Sequence, residues 1–329
     1  MRVLMTGEHA WPLPRVGAGR TPKAMPSASA QRVHDWVAKG LGELGCEVYY
    51  VLPDSGSVDA PRGITFVDRL IDDVDILHTY ALRGPRHDLA WAARGRPFVA
   101  TCHVDPRTRG VEEVPVNWIF PSRTLATTMG RTRYVINGID PSEYTYSDEH
   151  GGYLLFLAAV DRASEKGLDI ALRASARSGV PLVVAGGAQT AEAIDAASRC
   201  CEEWGAEYIG DVQGDEKARL LAGAKALLLP SRLNEAGPLA IAEALVSGTP
   251  VIASDRGACP ELVSSDVGFI CTSEDDYVQA IARSGAISRA RCREYALGQF
   301  HYLRMAAGYL RQYELELSFT NPCGRPSPL

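Results

Sequence analysis

One stretch, Ala226 to Asp255, constrains the fold more than any other. Ala226 to Pro230 (ALLLP) is a short apolar run of the kind a buried parallel strand needs, and Pro250 to Ser254 (PVIAS) is its β-branched successor. Between them Ile241, Ala244 and Leu245 recur at three-to-four spacing and predict a helix. Pro238 has φ preset for its first turn, and Gly248 followed by Pro250 ends it. The unit reads β-loop-α-β. Glu235 falls in the loop before the helix and Glu243 inside it, about 7 Å further along the axis than Pro238 at 1.5 Å per residue. The helix N-terminus therefore lies between two carboxylates.

A helix end of this kind presents free backbone N–H groups, here near Gly237, Pro238 and Leu239, to an anion such as a diphosphate. A carboxylate repels phosphate but accepts hydrogen bonds from a pair of hydroxyls. The combination suits a nucleotide-sugar folded over the helix end. Two glutamates at this spacing also occur on ordinary solvated helices, so the flanking residues decide the matter. Glu235-Ala-Gly-Pro-Leu-Ala-Ile-Ala-Glu243 followed by Gly248-Thr-Pro-Val251 resembles the signature of the retaining glycosyltransferases of the GT4 type, which is Glu, seven residues, Glu, then Gly-x-Pro-Val. That resemblance implies an α/β GT-B fold: two Rossmann-like, doubly wound domains with parallel sheets facing a central cleft. It also implies a donor site that includes Gly237, Pro238, Leu239 and Glu243, with Glu235 orienting the sugar.

At 329 residues and 46% hydrophobic content the chain can bury a core in each of two domains. A formal net charge of −6 argues against nucleic acid or an anionic membrane as the main partner. The N-terminus has too short an apolar run for a signal peptide, and the longest run elsewhere, Leu154 to Val160, falls far short of a membrane span, so a cytoplasmic protein with no integral membrane segment is expected. The eight cysteines show no Cys-x-x-Cys pair and no Cys/His spacing of a zinc site. They read as buried residues and free thiols.

Along the first half, Arg2 to Thr6 and Glu47 to Leu52 read as strands around a helix from Ala28 to Leu44, the start of a doubly wound sheet. The loop His9 to Ser27 leaves the carboxyl end of the first strand, where ligands of such sheets sit. From His9 to Arg32 there are four basic residues, Arg15, Arg20, Lys23 and Arg32, and no acidic one, as contact with a donor phosphate or an acidic acceptor would require and as a solvated loop would also allow. Gly17-Ala-Gly19 lacks the third glycine of a dinucleotide fingerprint, since Pro22 stands there. The resemblance makes Gly17 and Gly19 candidates for approach to the donor phosphate.

Pro97 to His103 reads as a strand ending in a histidine. A lone His is more often structural, but the resemblance gives His103 of Thr101-Cys-His103 a contact with the donor sugar. His78 and Asp105 are weaker candidates by position. Asp72-Asp-Val-Asp75 could suggest a metal-binding Asp-x-Asp, but these acids precede a strand and belong at its N-terminal edge, away from the expected cleft. Trp118 to Ser122 and Tyr134 to Asp140 read as further strands, and the polar Ser147 to Gly152 as a linker.

In the second half, Tyr153 to Val160 reads as a strand followed by Asp161-Arg-Ala-Ser-Glu-Lys-Gly167. The resembled family carries Gly-Arg at the start of this loop and Lys-Gly at its end; Lys166-Gly167 matches, while Asp161 stands where the Arg is expected and Arg162 follows one place later. Departure of a nucleoside diphosphate develops negative charge, and Arg162, Lys166 and the helix end are the groups assigned to stabilise it. A final helix, Gln299 to Leu317, carries a packing stripe of Tyr302, Met305, Tyr309, Tyr313 and Leu317.

The expected organisation is an acceptor-side domain over 1–149, a donor domain over 150–298, and a helix over 299–329 that crosses back to the first. The expected reaction is transfer of a sugar from a nucleoside diphosphate sugar to a hydroxyl or similar nucleophile, with retention, without a cofactor or an obligatory metal. Sugar, base and acceptor are unread; a soluble small molecule is preferred over a glycan on a lipid, because no exposed amphipathic basic helix is visible. A GT-B epimerase or phosphorylase, or a non-catalytic nucleotide-sugar-binding subunit, stays open as an alternative.

Overall fold

The computed structural model describes residues 1–6, 28–51, 60–81, 91–92 and 94–320. Gly17 and Gly19, with Arg15, Arg20 and Lys23, lie outside the described residues. The described chain up to Gly138, together with the helix Tyr302–Thr320, forms one compact unit, and Ile139–His301 forms a second.

The first unit is built on six parallel strands: β1 (Arg2–Thr6), β2 (Glu47–Val51), β3 (Ile64–Val67), β4 (Ile76–Tyr80), β5 (Phe98–Thr101) and β6 (Trp118–Ile119), in the order β3-β2-β1-β4-β5-β6. Val3, Leu4 and Met5 of β1 and all of β4 are buried, as strands covered on both faces require. The second unit repeats the plan with β7 (Leu154–Leu157), β8 (Leu182–Ala185), β9 (Glu207–Tyr208), β10 (Ala226–Leu229), β11 (Val251–Ser254) and β12 (Gly268–Cys271), in the order β12-β11-β10-β7-β8-β9. Counted within each unit the two orders are the same, and both are doubly wound. The strand order reverses between β1 and β4 and again between β7 and β10. At such a switch point the flanking loops leave in opposite directions and open a crevice beyond the carboxyl ends of the strands. β7 and β10 are in register from Leu154↔Ala226 to Phe156↔Leu228, so the loops after Leu157 and after Leu229 emerge side by side.

The core of the second unit joins Phe156, Leu172, Val184, Leu228, Ile252 and Tyr277 from the central strands and the helices Leu168–Ser178 and Glu274–Arg283. In the first unit the helix Tyr302–Thr320 packs through the stripe seen in the sequence, but with a buried polar seam. The His78 ring bonds Tyr313 Oη through Nδ1 and Thr101 Oγ1 through Nε2, both at 2.7 Å, and Thr101 Oγ1 lies 2.9 Å from Tyr309 Oη. Arg133 donates to the Gln312 carbonyl and side chain and to Glu316 on the same helix. His78 is thus a hydrogen-bonded core residue that ties the last helix to the sheet.

A second buried polar group has a pH consequence. Asp35, on the helix Ala28–Glu43, accepts from Gln31 Nε2 at 2.8 Å and from Tyr50 Oη at 2.9 Å, yet burial outweighs these bonds and pushes its carboxyl up to about 7. A carboxyl whose folded value is raised contributes its full stability below about pH 4 and loses it as the pH rises through about 7. Asp35→Asn keeps the acceptor oxygen and removes the charge. Melting curves at pH 5 and pH 8 are expected to show the variant gaining roughly 5 °C on wild type at the higher pH; an equal gap at both contradicts the assignment.

Two segments differ from expectation. Tyr134–Asp140 is not a strand: Tyr134 makes one parallel bridge to Phe120 and Ile139 another to His301, with Ile139 N donating to Phe300 O at 2.7 Å. The chain leaves the edge of the first sheet after that single bridge. Ser147–Gly152 is not a free linker either. Ser147 N donates to Ser247 O, Arg289 Nε donates to Ser147 O at 2.8 Å, and Gly151 N donates to Gly223 O at 2.7 Å, which fastens the segment to the second unit. The second unit accordingly begins at Ile139 rather than at 150, and the first is rejoined at Tyr302.

Candidate active site

Two loops and one helix at the switch point of the second sheet carry the candidate residues. After β7 a 3₁₀ turn (Val160–Arg162) runs into one turn of α-helix (Ala163–Lys166), which Gly167 ends in the left-handed conformation at φ 79°. A Cβ at Gly167 would fall 2.0 Å from the Pro230 carbonyl oxygen, so only glycine lets this loop close against the end of β10. The loop after β10 is laced to the first. Arg232 N donates to Glu165 O at 2.8 Å, and its guanidinium reaches Ser164 O at 2.6 Å and both Asp169 carboxylate oxygens at 2.6 and 2.7 Å. This fork geometry, with Arg173 behind it, holds the Asp169 carboxyl down at about 2.

Glu235 stands in the middle of that second loop. Its carbonyl accepts from Ala258 N at 2.8 Å, and Gly257, at φ 56°, presses so close that a Cβ there would sit 2.3 Å from both Glu235 N and Glu235 O. The Glu235 side chain is 10% exposed, and its Oε1 accepts from Lys166 Nζ at 2.8 Å. Lys166 and Glu235, 69 residues apart, thus meet where the two loops meet.

The helix Leu239–Val246 follows at once. Pro238 stands just before it, in extended conformation at ψ 116°, rather than inside its first turn, and no side chain caps the helix. Its leading N–H groups keep the donor capacity that an uncapped N-terminus has. Glu243 is one turn further in and 7% exposed. Its Oε1 accepts from Lys217 Nζ at 2.7 Å, on the helix Gly214–Gly223, and from Tyr144 Oη at 2.9 Å. Each carboxylate of the predicted pair therefore has its own lysine. The site has almost no net charge from these four residues, yet holds two cations and two acceptors near a helix N-terminus.

Arg162 is placed differently from Lys166. Its Nε bonds Glu165 three residues on, and the side chain is half exposed; its neighbour Asp161 is exposed. His103 belongs to the first unit, two residues beyond the end of β5, half-buried with its ring 5.7 Å from that of Tyr80. Asp105 is taken up in capping the 3₁₀ turn Pro106–Arg109 and pairs with Arg107. Asp72, Asp73 and Asp75 do lie at the N-terminal edge of β4, where they bond Arg94, the Arg2 side chain and Arg2 N. Among the described residues no group of three or more His, Cys, Asp or Glu is placed to hold a metal ion, the seven described cysteines are free, and no helix is long and apolar enough to cross a membrane.

Lys217, Tyr144 and Arg232 were not visible as site residues in the sequence. Lys217 sits in Asp215-Glu-Lys-Ala-Arg219, which has the look of a solvated helix face, and Tyr144 precedes the stretch that reads as a linker. One signal was available for Lys217: in a doubly wound sheet the helix before β10 packs close to the helix after it.

Residues 147–297 match the family of glycosyl transferases group 1. No curated protein sequence matches the chain. Among solved structures, AviGT4, a glycosyltransferase involved in avilamycin A biosynthesis, is 25% identical and superposes with a TM-score of 0.74 over 96% of this chain and 98% of that one. Sucrose-phosphate synthase from Thermosynechococcus elongatus is 16% identical, with a TM-score of 0.74 over 97% and 99% of the two chains. Anabaena HepE, solved with UDP and glucose, is 16% identical, with a TM-score of 0.69 over 96% and 100%. Residues 147–297 are thus similar to the glycosyl transferases of group 1, and the chain as a whole has the GT-B fold of these glycosyltransferase structures.

Proposed function

We propose that the second unit binds a nucleoside diphosphate sugar with its diphosphate over the N-terminus of the Leu239–Val246 helix, and that the enzyme transfers the sugar to an acceptor hydroxyl with retention of configuration. The observation that carries this reading is the pair of lysine–glutamate contacts flanking an uncapped helix end at the switch point. Lys166 turns from Glu235 to the β-phosphate, joined by Arg162 once it leaves Glu165, while Glu235 accepts from hydroxyls of the sugar and Glu243 from those of the ribose. His103, by family resemblance, also orients the sugar. The bond from the anomeric carbon to the β-phosphate oxygen breaks, and the acceptor oxygen attaches on the face the diphosphate leaves. The acceptor proton passes to the departing diphosphate, so no side chain has to serve as a covalent nucleophile. The cations and the helix end supply the stabilisation of the leaving group, each such group contributing about 10²–10³ in rate, and no obligatory metal is invoked.

HepE is described with UDP and with UDP-glucose, which makes UDP-sugars the first donors to try. AviGT4 is involved in avilamycin A biosynthesis, and soluble acceptors are the first to try here. The test is product analysis by NMR with UDP-, ADP-, GDP- and TDP-sugars, with and without hydroxylated acceptors, in excess chelator. Release of nucleoside diphosphate with the donor's anomeric configuration kept in the product is expected. An epimerised product from donor alone, a requirement for inorganic phosphate, a strict metal requirement, or binding with no turnover each overturns it in favour of a different activity on the same fold.

A further inference from the structure

We propose that Lys217 and Tyr144 are positioning residues for the donor ribose, fixing one oxygen of Glu243 so that the other faces the ribose hydroxyls. This rests on the donor-site reading above. The two oxygens of the Glu243 carboxylate are used unevenly. Oε1 accepts twice, from Lys217 Nζ at 2.7 Å and Tyr144 Oη at 2.9 Å, while Oε2 receives no hydrogen bond from any described residue and is not sealed from solvent. The last torsion of a glutamate side chain is broad and roughly two-fold, so the side chain's own rotamers do not set the plane of the carboxylate. Two donors arriving from different elements do set it. Lys217 comes from the helix Gly214–Gly223, and Tyr144 from the end of the 3₁₀ turn Pro141–Glu143, where its backbone N–H is held by Pro141 O. Tyr144 and Glu243 are both buried, so the arrangement is fixed by packing rather than by solvent.

Lys217 has a second effect. A carboxylate one helical turn from a bound diphosphate repels it, and the repulsion is strong where water is excluded. An ammonium at 2.7 Å cancels that charge and leaves the hydrogen-bonding capacity of Oε2 intact. The pair can therefore read a vicinal diol without opposing the phosphates beside it.

The experiment compares Lys217→Met, Lys217→Arg and Tyr144→Phe with wild type by calorimetric titration of UDP, ADP and GDP, and of the 2′,3′-dideoxy form of the tightest of these. Lys217→Met is expected to weaken the ribonucleotide at least 50-fold and the dideoxynucleotide at least 5-fold less than that, because the latter loses only the charge compensation and has no diol for Glu243 to hold. Lys217→Arg is expected to recover most of the loss, and Tyr144→Phe to cost about 5-fold with the same dependence on the ribose. At saturating donor, kcat should change less than 3-fold, with the effect in KM. An equal loss for both nucleotides, or no loss in either the Lys217 or the Tyr144 variant, overturns the proposal. If wild type binds none of the three nucleotides, the donor-site reading itself falls, an outcome separate from the first two because it appears before any variant is made.

Discussion

Lys166→Met is expected to lower kcat/KM by about 10³-fold, with most of the loss in kcat. The reason is where the lysine stands. It ends the single helical turn after β7, beside a β10 loop that Gly167 allows to approach within contact, and its ammonium pairs with Glu235. On the proposed reading the leaving oxygen gains charge as the bond to the diphosphate breaks, and Lys166 is the cation assigned to meet it. A merely structural lysine would give a different pattern. If its work were to hold Glu235, then Lys166→Met in a Glu235→Gln background would cost nothing further, since the neutral amide needs no counter-charge. If it meets the leaving group, the double variant should be at least 30-fold worse than Glu235→Gln alone. A double-mutant cycle on kcat separates the two. Glu235 is largely buried, so the single variant leaves a poorly solvated carboxylate behind and should also lower the melting temperature of the protein. Loss of activity in the double variant beyond that of Glu235→Gln cannot come from this source.

Gly257→Ala is expected to abolish most activity, at least 10²-fold, without touching any residue that meets the donor through its side chain. At φ 56° an L-residue pays a backbone strain of about 1–2 kcal/mol. The larger effect is steric. The new methyl would lie 2.3 Å from both the nitrogen and the oxygen of Glu235, and these are backbone atoms that cannot rotate aside. The loop has to shift by roughly 1 Å, a displacement that costs about 10²-fold when it moves a positioning group. Gly45→Ala is the control. Gly45 also has positive φ, at 88°, but nothing lies within 4 Å of its Cβ position. It should show the strain alone: a modest drop in melting temperature and normal kinetics. Equal behaviour of the two variants would mean that the position of Glu235 is not what Gly257 protects.

The contrast between these positions also explains how far the sequence could be read. The central β-loop-α-β unit was legible because its strands are covered on both faces, and such strands must be written as unbroken apolar runs: β10 and β11 lie where ALLLP and PVIAS place them. Glu235, Glu243 and Lys166 were singled out through motif spacing; the structure pairs Lys166 with Glu235 and sets Glu243 one turn into the helix after β10, on Lys217. Lys217 was not, because a lysine on an amphipathic helix has the same one-dimensional pattern whether its ammonium meets water or a carboxylate 26 residues away. Ser147–Gly152 was misread for a related reason: polar, glycine-containing sequence resembles a linker, and what fastens it here is its backbone, bonded to Ser247, Gly223 and the Arg289 side chain, so the segment's own side chains carry little of the signal. Tyr134–Asp140 opens with the apolar run Tyr134-Val-Ile136 of a strand, but Ile139 pairs with His301, and only tertiary structure decides that. His78, noticed for its place at the end of a strand, is a core residue because the last helix brings Tyr313 to it from 235 residues away.

The central claim is that the second unit holds a nucleotide-sugar between Lys166, Glu235, Glu243 and a helix end. Calorimetric titration of UDP, ADP, GDP and TDP into wild type and Glu243→Ala, in metal-free buffer, tests it most directly. The account predicts micromolar binding of one nucleoside diphosphate to wild type, weakened at least 30-fold in the variant, a difference of about 2 kcal/mol. Affinity that is unchanged by removing Glu243, or a wild-type protein that binds none of the four, would contradict it.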